Sequence, residues 1–305
     1  MQYHEQIEAN RPPEQDHQTG PAPIRAQQDA LRAWMAKRQI WQVTVQARSL
    51  GLRASQNMGS TWHGALGKVL HERHPSLYTA LYGDNSGVAR PYVLRPPRYD
   101  DTLAEGAPFE FSLLLMGDGV HYSDSLCMAL ADLARQGVGP GRGRFAIDAI
   151  DVGSVSLPAR PAQAARALYV QFCTPTLLKE DNRHVLSSPS LLLLSKRLIG
   201  RARQLWPQAT LPPALAQTLL QQATQAACVD AQLAWHSTRR YSARQKAWMP
   251  FGGLCGTLRY QPVAPALQDW LAWAQWLHIG NKTTFGYGQV QVQAVAHADP
   301  WPCMP

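Results

Sequence analysis

The chain has 305 residues, 45% of them hydrophobic, and a formal net charge of +8. This length is typical of two ordinary domains, each with enough apolar residues for a core. The positive charge favours a polyanionic partner, and with the glycine-rich loops described below it points to nucleic acid. The five cysteines form no CxxC pair, and no signal peptide or long apolar segment is evident. We therefore expect a reduced cytoplasmic protein without a zinc ribbon, a cofactor or a membrane span.

The N-terminal residues 1–37 are rich in glutamine, proline and charged side chains. Such a composition provides little apolar surface to bury, so it predicts a loose extension outside the core. A short helix from Ala26 is the one regular element expected there.

Six elements follow between residues 40 and 153, and hydrophobic period and turn residues define them. Strands are predicted at 40–50, 91–97, 108–119 and 143–153, and helices at 60–75 and 123–137. The first helix is expected to stop at Pro75, and the second begins with Ser and Asp and ends at a glycine. The order is strand, helix, strand, strand, helix, strand.

The second half of the chain repeats this order. Strands are predicted at 166–175, 228–242, 250–261 and 287–295, and helices at 188–206 and 265–280. Two βαββαβ units in series indicate an α+β protein made of tandem ferredoxin-like (RRM-like) domains. We place these domains at 38–155 and 160–298.

Each half carries a basic, glycine-rich loop between its second helix and its last strand. The loops are "QGVGPGRGRF" (136–145) and "HIGNKTTFGYG" (278–288). Close glycines and Lys282 suit a phosphate. However, Gly280 is only two residues before Lys282, and Walker and dinucleotide loops run from strand to helix rather than from helix to strand. The anion expected here is therefore not a mononucleotide.

Several motifs resemble one known family in the same order along the chain. They include "WHGALGKVL", "LYGD", "PYVLRPP", "GVGPGRGRF", "FCTPTLLK", "PFGGLCGTLRY" and "GNKTTFGYGQV", and they extend from about residue 40 to about 296. Together they resemble the CRISPR-associated repeat-cleaving endoribonucleases of the RAMP superfamily. The resemblance implies a protein that binds CRISPR repeat RNA between two ferredoxin-like domains and cuts it once per repeat without a metal ion.

The C-terminal glycine-rich loop is the first predicted RNA-binding element. Its backbone amides and the charge of Lys282 suit phosphates, and Phe285 or Tyr287 would stack a base. A tight turn with core aromatic residues is the structural alternative. The residues assigned to RNA binding here are Gly280, Asn281, Lys282, Gly286, Tyr287 and Gly288.

A second basic stretch, "STRRYSARQKAW" (237–248), suggests the tip of a long hairpin. Such a tip would hold the phosphates of a repeat stem-loop, with a steep salt dependence; a solvated loop is the alternative. Arg142 and Arg144 in the first glycine loop are further candidates. The hairpin residues assigned to RNA binding are Arg239, Arg240, Arg244 and Lys246.

Metal-free RNA cleavage needs a proton acceptor, a proton donor and a cation. Histidine suits proton transfer near neutral pH. The resemblance places the catalytic histidine at His63, and Lys68 would supply a cation in the same cleft. His71 is the next candidate, followed by His74. The pattern "HERH" is not a zinc motif, because its histidines are three residues apart, and no metal site is predicted.

Two other functions remain open at this stage. A non-catalytic RAMP subunit would hold CRISPR RNA inside an effector complex, although the long insertions typical of such subunits are missing from the sequence. A phosphate-binding enzyme for small molecules would need convergent carboxylates or a nucleotide loop, and neither is evident.

Overall fold

The computed structural model describes residues 22–295, apart from 54, 56, 84–87, 99–101, 140, 158, 160–165 and 243–246. Two four-stranded antiparallel sheets and the helices around them make up this part of the chain. No helix in it is long and apolar enough to cross a membrane.

The first sheet follows an N-terminal helix and has the strand order β2-β3-β1-β4. A pair of helices connects β1 to β2, and one helix connects β3 to β4. The elements are α1 (Ala22–Ala36), β1 (Ile40–Leu50), α2 (Met58–Arg73), α3 (Pro75–Tyr82), β2 (Tyr92–Arg95), β3 (Pro108–Met116), α4 (Ser123–Gln136) and β4 (Arg144–Ser154).

The second sheet has the equivalent strand order, β10-β5-β9-β8, so the predicted tandem βαββαβ fold is confirmed. A short β6-β7 hairpin and helix α6 are additions that the sequence patterns did not predict. The elements are β5 (Ala167–Thr176), β6 (Lys179–Glu180), β7 (Arg183–His184), α5 (Leu191–Leu205), α6 (Pro213–Gln225), β8 (Ala227–Ser242), β9 (Ala247–Gln261), α7 (Pro265–Ala272), α8 (Ala274–Leu277) and β10 (Val290–Val295).

Local sequence explains the ends of α2, the helix that carries the candidate histidine. The Asn57 side chain caps its N-terminus by accepting a hydrogen bond from the Ser60 amide at 2.8 Å. At the other end Pro75 cannot continue the helix, but it suits the first position of a new one. A second helix, α3, therefore follows α2 where the sequence predicted only a stop.

The prediction of a loose extension is wrong for residues 22–36, whereas residues 1–21 lie outside the described part of the chain. Leu31 and Met35 of α1 are each only 1% exposed and belong to a hydrophobic core that is formed mostly by the second half. The buried carboxylate of Asp269 on α7 accepts hydrogen bonds from Gln28 at 2.8 Å and Arg32 at 2.7 Å. Helix α1 is thus part of the core. The boundaries 38–155 and 160–298 stay predictions.

This docking of α1 can be tested by stability. Leu31→Ala removes a fully buried side chain, so we expect it to lower the free energy of unfolding by about 2–5 kcal/mol. Arg25→Ala changes an exposed position of the same helix and should stay within about 0.5 kcal/mol of the parent. Denaturant unfolding measures both, and equal effects of the two variants would mean that α1 is not docked.

Candidate functional site

The loop of residues 278–288 is wedged between the two halves of the protein. A Cβ atom at Gly59, in the first turn of α2, would lie 1.8 Å from the carbonyl oxygen of Phe285. A Cβ atom at Gly286 would lie 2.7 Å from Cδ of Pro96. Gly286 also has a left-handed backbone, with φ of 81°. These glycines allow main chains from the two halves to touch.

This wedged position contradicts part of the predicted role of the loop amides. The amide of Gly286 donates to the Thr283 carbonyl at 3.0 Å, and that of Gly288 donates to the Pro175 carbonyl at 3.1 Å. Both N–H groups therefore hold the loop together and are not available to a phosphate. Gly280 makes a close approach to the backbone of Leu177, whereas the side chain of Asn281 is exposed.

Tyr287 is buried, so the prediction that it stacks a base is wrong. It is 5% exposed, and its ring packs edge-on against Phe251. Its hydroxyl lies 3.2 Å from Oγ1 of Thr238 on β8 and 3.4 Å from Nδ2 of Asn57. Asn57 therefore links the loop, the long hairpin and the start of α2. The sequence analysis did not identify it, although an asparagine just before a helix is a known capping signal.

Lys282 is the charged residue of the loop. Its backbone is left-handed, with φ of 65°, and Nζ lies 3.5 Å from the centre of the Phe251 ring. Such an arrangement is a cation–π contact. Burial, then the nearby charges of Arg240 and Lys179, lower the pKa of Lys282 to about 8. The ammonium group is thus held in a partly buried site with an excess of positive charge.

His63 lies on α2 against the same loop. Its ring stacks on Phe285, with ring centres 4.1 Å apart, and contacts Tyr82 at 4.7 Å. The Tyr82 hydroxyl donates to the His63 carbonyl at 2.8 Å, which fixes α3 against α2. Burial, then the charges of Arg90 and Arg240, lower the pKa of His63 to about 3. The imidazole is therefore neutral at physiological pH.

Three buried nitrogens around this aromatic cluster have no hydrogen-bond partner among the described residues. They are Nε2 of His63, Nη1 of Arg90 and Nε of Arg240. The Arg240 guanidinium lies 5.0 Å from the centre of the Phe285 ring, and that of Arg90 lies 5.3 Å from the centre of the Tyr82 ring. One imidazole and two guanidinium groups are thus gathered with hydrogen-bonding capacity that the protein does not use.

A cleft of about 660 Å³ opens beside this cluster, between α2, the first glycine loop and the β8-β9 hairpin. Arg144 is exposed at the start of β4 and is not among its described lining residues, and Arg244 and Lys246 lie outside the described residues. The basic residues that line the cleft are Lys68, Arg142, Arg239 and Arg240.

The structure does not bring the three candidate catalytic residues together. Lys68 lines the cleft, with Nζ 3.7 Å from a carboxylate oxygen of Glu72, whereas the ring of His63 packs against Phe285 and Tyr82. His71 is exposed and packs edge-on against Tyr78. His74 pairs with Asp132 at 2.9 Å. Among the residues described, no three His, Cys, Asp or Glu side chains are grouped so as to hold a metal ion.

Family models match both halves of the chain. The family model described as CRISPR-associated endoribonuclease Cas6 matches residues 170–290. A second model, described as an N-terminal domain, matches residues 37–169. No curated protein matches the chain significantly.

Solved structures give the same picture of the fold. A Cas6 product complex aligns with a TM-score of 0.60 and 17% identity over 84% of this chain and 99% of its own. Thermus thermophilus Cas6 aligns with a TM-score of 0.57 and 16% identity over the same shares. A partial Cas6-RT-Cas1–Cas2 complex aligns with a TM-score of 0.58 and 15% identity over 87% of this chain and 48% of its own. The tandem fold is therefore shared.

The burial of His63 leads to a prediction about proton binding. In the free protein the ring should titrate near pH 3, and removal of its cover in Phe285→Ala should raise the pKa towards the ordinary value of about 6.5. Phe285→Leu, which keeps the site covered, should raise it less. NMR of the histidine ring measures all three values, and a parent midpoint near 6.5 would contradict the burial.

The same shift affects stability in acid. Because the pKa of His63 is lower in the folded state, the unfolded chain takes up the proton first as the pH falls. The contribution of His63 to the free energy of unfolding therefore decreases below about pH 6.5 and continues to decrease towards pH 3. Phe285→Ala should weaken this part of the acid sensitivity.

Proposed function

We propose that the chain binds CRISPR repeat RNA and cuts precursor RNA once within each repeat, because residues 170–290 match the family model described as CRISPR-associated endoribonuclease Cas6. The cut would need no metal ion. Its partners would be the repeat RNA and, after cleavage, subunits of a CRISPR complex; one similar structure is itself a complex with Cas1 and Cas2.

The observation that carries the proposed chemistry is the set of three unpartnered nitrogens around Phe285. A neutral imidazole can accept a proton, and two guanidinium groups can stabilise the extra negative charge of a phosphate under attack. Fixed cations can do this without a metal ion, because they are already oriented before the substrate binds. In this proposal the imidazole would act as proton acceptor and the two guanidinium groups would bind the phosphate.

In the proposed reaction the ribose 2′-OH attacks its neighbouring phosphorus. The bond from O2′ to phosphorus forms, and the bond from phosphorus to O5′ breaks. One proton leaves the 2′-OH and one is delivered to O5′, and His63 carries out one of these transfers through Nε2. The products are a 2′,3′-cyclic phosphate and a 5′-OH. An approaching phosphate adds negative charge, which raises the low pKa of His63 towards a useful range.

This mechanism requires that Phe285 leave the ring of His63 when RNA binds. The ring covers His63 at 4.1 Å, while Arg240 and Lys282 lie on aromatic rings next to it. RNA phosphates would compete for both cations, because a charge-assisted hydrogen bond is stronger than a partly exposed cation–π contact. Substrate binding would thus release the cover.

The first cleft would bind the part of the RNA strand that lies next to the scissile phosphate. Its four basic side chains provide phosphate contacts, and Arg239 and Arg240 lie on β8 rather than at the tip of the hairpin. Insertion of the tip itself into a stem groove stays a prediction, since its residues are outside the described part.

A non-catalytic RNA-binding subunit is the alternative function. The low pKa of His63 and its cover by Phe285 favour this alternative, because a catalytic histidine usually has a pKa near the working pH. A direct test of His63 in cleavage separates the two functions.

We expect His63→Ala to slow single-turnover cleavage of a repeat RNA by about 10²–10⁴-fold, the usual contribution of a positioned acid or base. RNA affinity should stay within about threefold, or ~0.65 kcal/mol. A 2′-deoxy substitution just upstream of the cut should block cleavage, and EDTA should have no effect. Gel analysis of end-labelled RNA measures the rate and identifies the cyclic phosphate.

Other outcomes of that experiment are equally informative. Full activity in His63→Ala together with loss in His71→Ala or Lys68→Ala would move the role to the exposed face of α2. A requirement for Mg²⁺ would refute the proposed mechanism. Tight binding without any cleavage by the parent protein would support the non-catalytic subunit.

Lys282 gives a prediction about binding. Because it has a left-handed backbone, Lys282→Asn is a better neutral variant than Lys282→Ala, which strains there. It should weaken repeat RNA binding by about 1–2 kcal/mol, the scale of a charge-assisted hydrogen bond. It should also lower the salt dependence by about one charge or less. Filter binding over a salt series measures both.

The pKa of Lys282 adds a pH dependence. RNA binds the charged form better, so the affinity of the parent should fall as the pH rises above about 8. Lys282→Arg, which stays charged, should remove this fall, and so should Lys282→Asn. If the parent and both variants respond to pH alike, Lys282 does not contact RNA.

A further inference from the structure

A second basic cleft is lined in part by Phe285 and shares no described lining residue with the first. Most of its residues have no role in the function proposed above. It has a volume of about 530 Å³ and lies between α5, the β6 strand, the loop at 280–285 and the residues before β2. Within the described lining there is no aspartate or glutamate. The basic residues that line it are Arg90, Lys179, Lys196, Arg197, Arg201 and Lys282.

Two of these cations, Arg201 and Arg90, have buried side-chain nitrogens. Arg201 on α5 donates from Nε to the Leu277 carbonyl at 2.7 Å, and burial lowers its pKa to about 10. It is therefore still charged at neutral pH. Its Nη2 is buried and has no partner in the described part of the chain, and the same holds for Nη1 of Arg90. Both guanidinium groups line the cleft.

A buried cation whose hydrogen-bond donors lack partners is energetically costly. Such a site therefore favours an anion that accepts the missing hydrogen bonds. Arg197 and Arg201 are four residues apart on α5, about 6 Å along the helix axis. This row of cations suits a chain of charges better than a single small ion. Phe285 is the only aromatic residue among the described lining residues, so there is little surface on which bases could stack.

We propose that this second cleft binds the backbone phosphates of the repeat RNA on one side of the scissile phosphate. It reads the charge of the strand and not its bases, and it is separate from the first cleft. The inference rests on the proposed function, because Phe285 and Arg90 join the cleft to the His63 cluster. An RNA strand that crosses the cluster would pass from one cleft to the other.

The main test is the double variant Lys196→Ala with Arg197→Ala, since both side chains are exposed on α5. Its affinity for repeat RNA should fall about tenfold, and the salt slope should decrease by about 1.4 for two lost contacts to a single strand. Arg203→Ala, an exposed change on the same helix away from the cleft, is the matched control and should leave both values unchanged.

Substituted RNAs locate the contact. Each phosphate near the cut can be replaced in turn by a neutral methylphosphonate. In the parent protein these replacements should weaken binding mainly on one side of the cut. At those positions the double variant should show no further loss. Cleavage at saturating RNA should continue at the parent rate, because the cleft binds the strand and does not take part in the reaction.

Arg201→Gln tests the buried cation. If Arg201 binds a phosphate, its neutralisation should weaken RNA binding and lower the salt slope by about 0.7, whatever the loss of its hydrogen bond to the Leu277 carbonyl does to the melting temperature. A lower melting temperature with unchanged RNA affinity would mean that Arg201 is only structural.

The outcomes separate this inference from the proposed function. If the parent binds and cuts repeat RNA but the double variant behaves like Arg203→Ala, the second cleft is not an RNA site. If the variant loses cleavage rate at saturation as well, the cleft is part of the reaction centre and the separate binding site is wrong. If the parent neither binds nor cuts repeat RNA, the proposed function itself fails.

Discussion

The contact between Gly59 and the Phe285 carbonyl sets the position of α2, and with it His63, relative to the C-terminal glycine loop. A Cβ atom at Gly59 would be 1.8 Å from that oxygen, so no side chain other than hydrogen fits there. The contact holds the start of α2 on the C-terminal glycine loop. His63, one turn further along α2, is thereby placed against the ring of Phe285. Arg240 of the first cleft and Phe285 of the second cleft meet at the same junction.

Several positively charged side chains are held close together at this junction. Arg240 and Lys282 lie on aromatic rings, and Arg90 and Arg201 keep buried nitrogens without partners in the described part. Each unsatisfied buried group costs about 1–3 kcal/mol. Folding must offset this cost through the two cores and through α1. A polyanion that enters the site recovers it, so part of the stability given up in the free protein becomes binding energy.

Much of the fold could be predicted from the sequence, because hydrophobic period and turn residues define elements locally. The tandem βαββαβ order follows from such patterns. The prediction of a loose extension was wrong because composition was given more weight than hydrophobic period. Leu31, Trp34 and Met35 have the spacing of a helix face, and all three are buried. The proline at position 75 predicted the end of α2 but did not by itself predict helix α3, which begins there.

The site was less predictable because its residues depend on contacts between the two halves. The sequence identified His63, Lys282 and the basic residues of the hairpin as candidates, but it could not show that Tyr287 is buried against Thr238 and Asn57. It also could not show that the Gly286 and Gly288 amides are already used. The basic face of α5 had a detectable signal, since Arg197 and Arg201 lie four residues apart on a helix that is otherwise apolar on its inner side.

The two glycine loops show how a duplicated fold can give equivalent segments different tasks. Both link the second helix of a half to its last strand, and both approach the start of α2. A Cβ atom at Gly139 would lie 3.4 Å from Cγ2 of Thr61, an ordinary contact, whereas Phe285 touches Gly59 directly. The first loop can therefore line an open cleft with Arg142, while the second closes the two halves onto each other. The packing distance at α2, more than the glycine content, decides which loop remains open to solvent and which forms the junction.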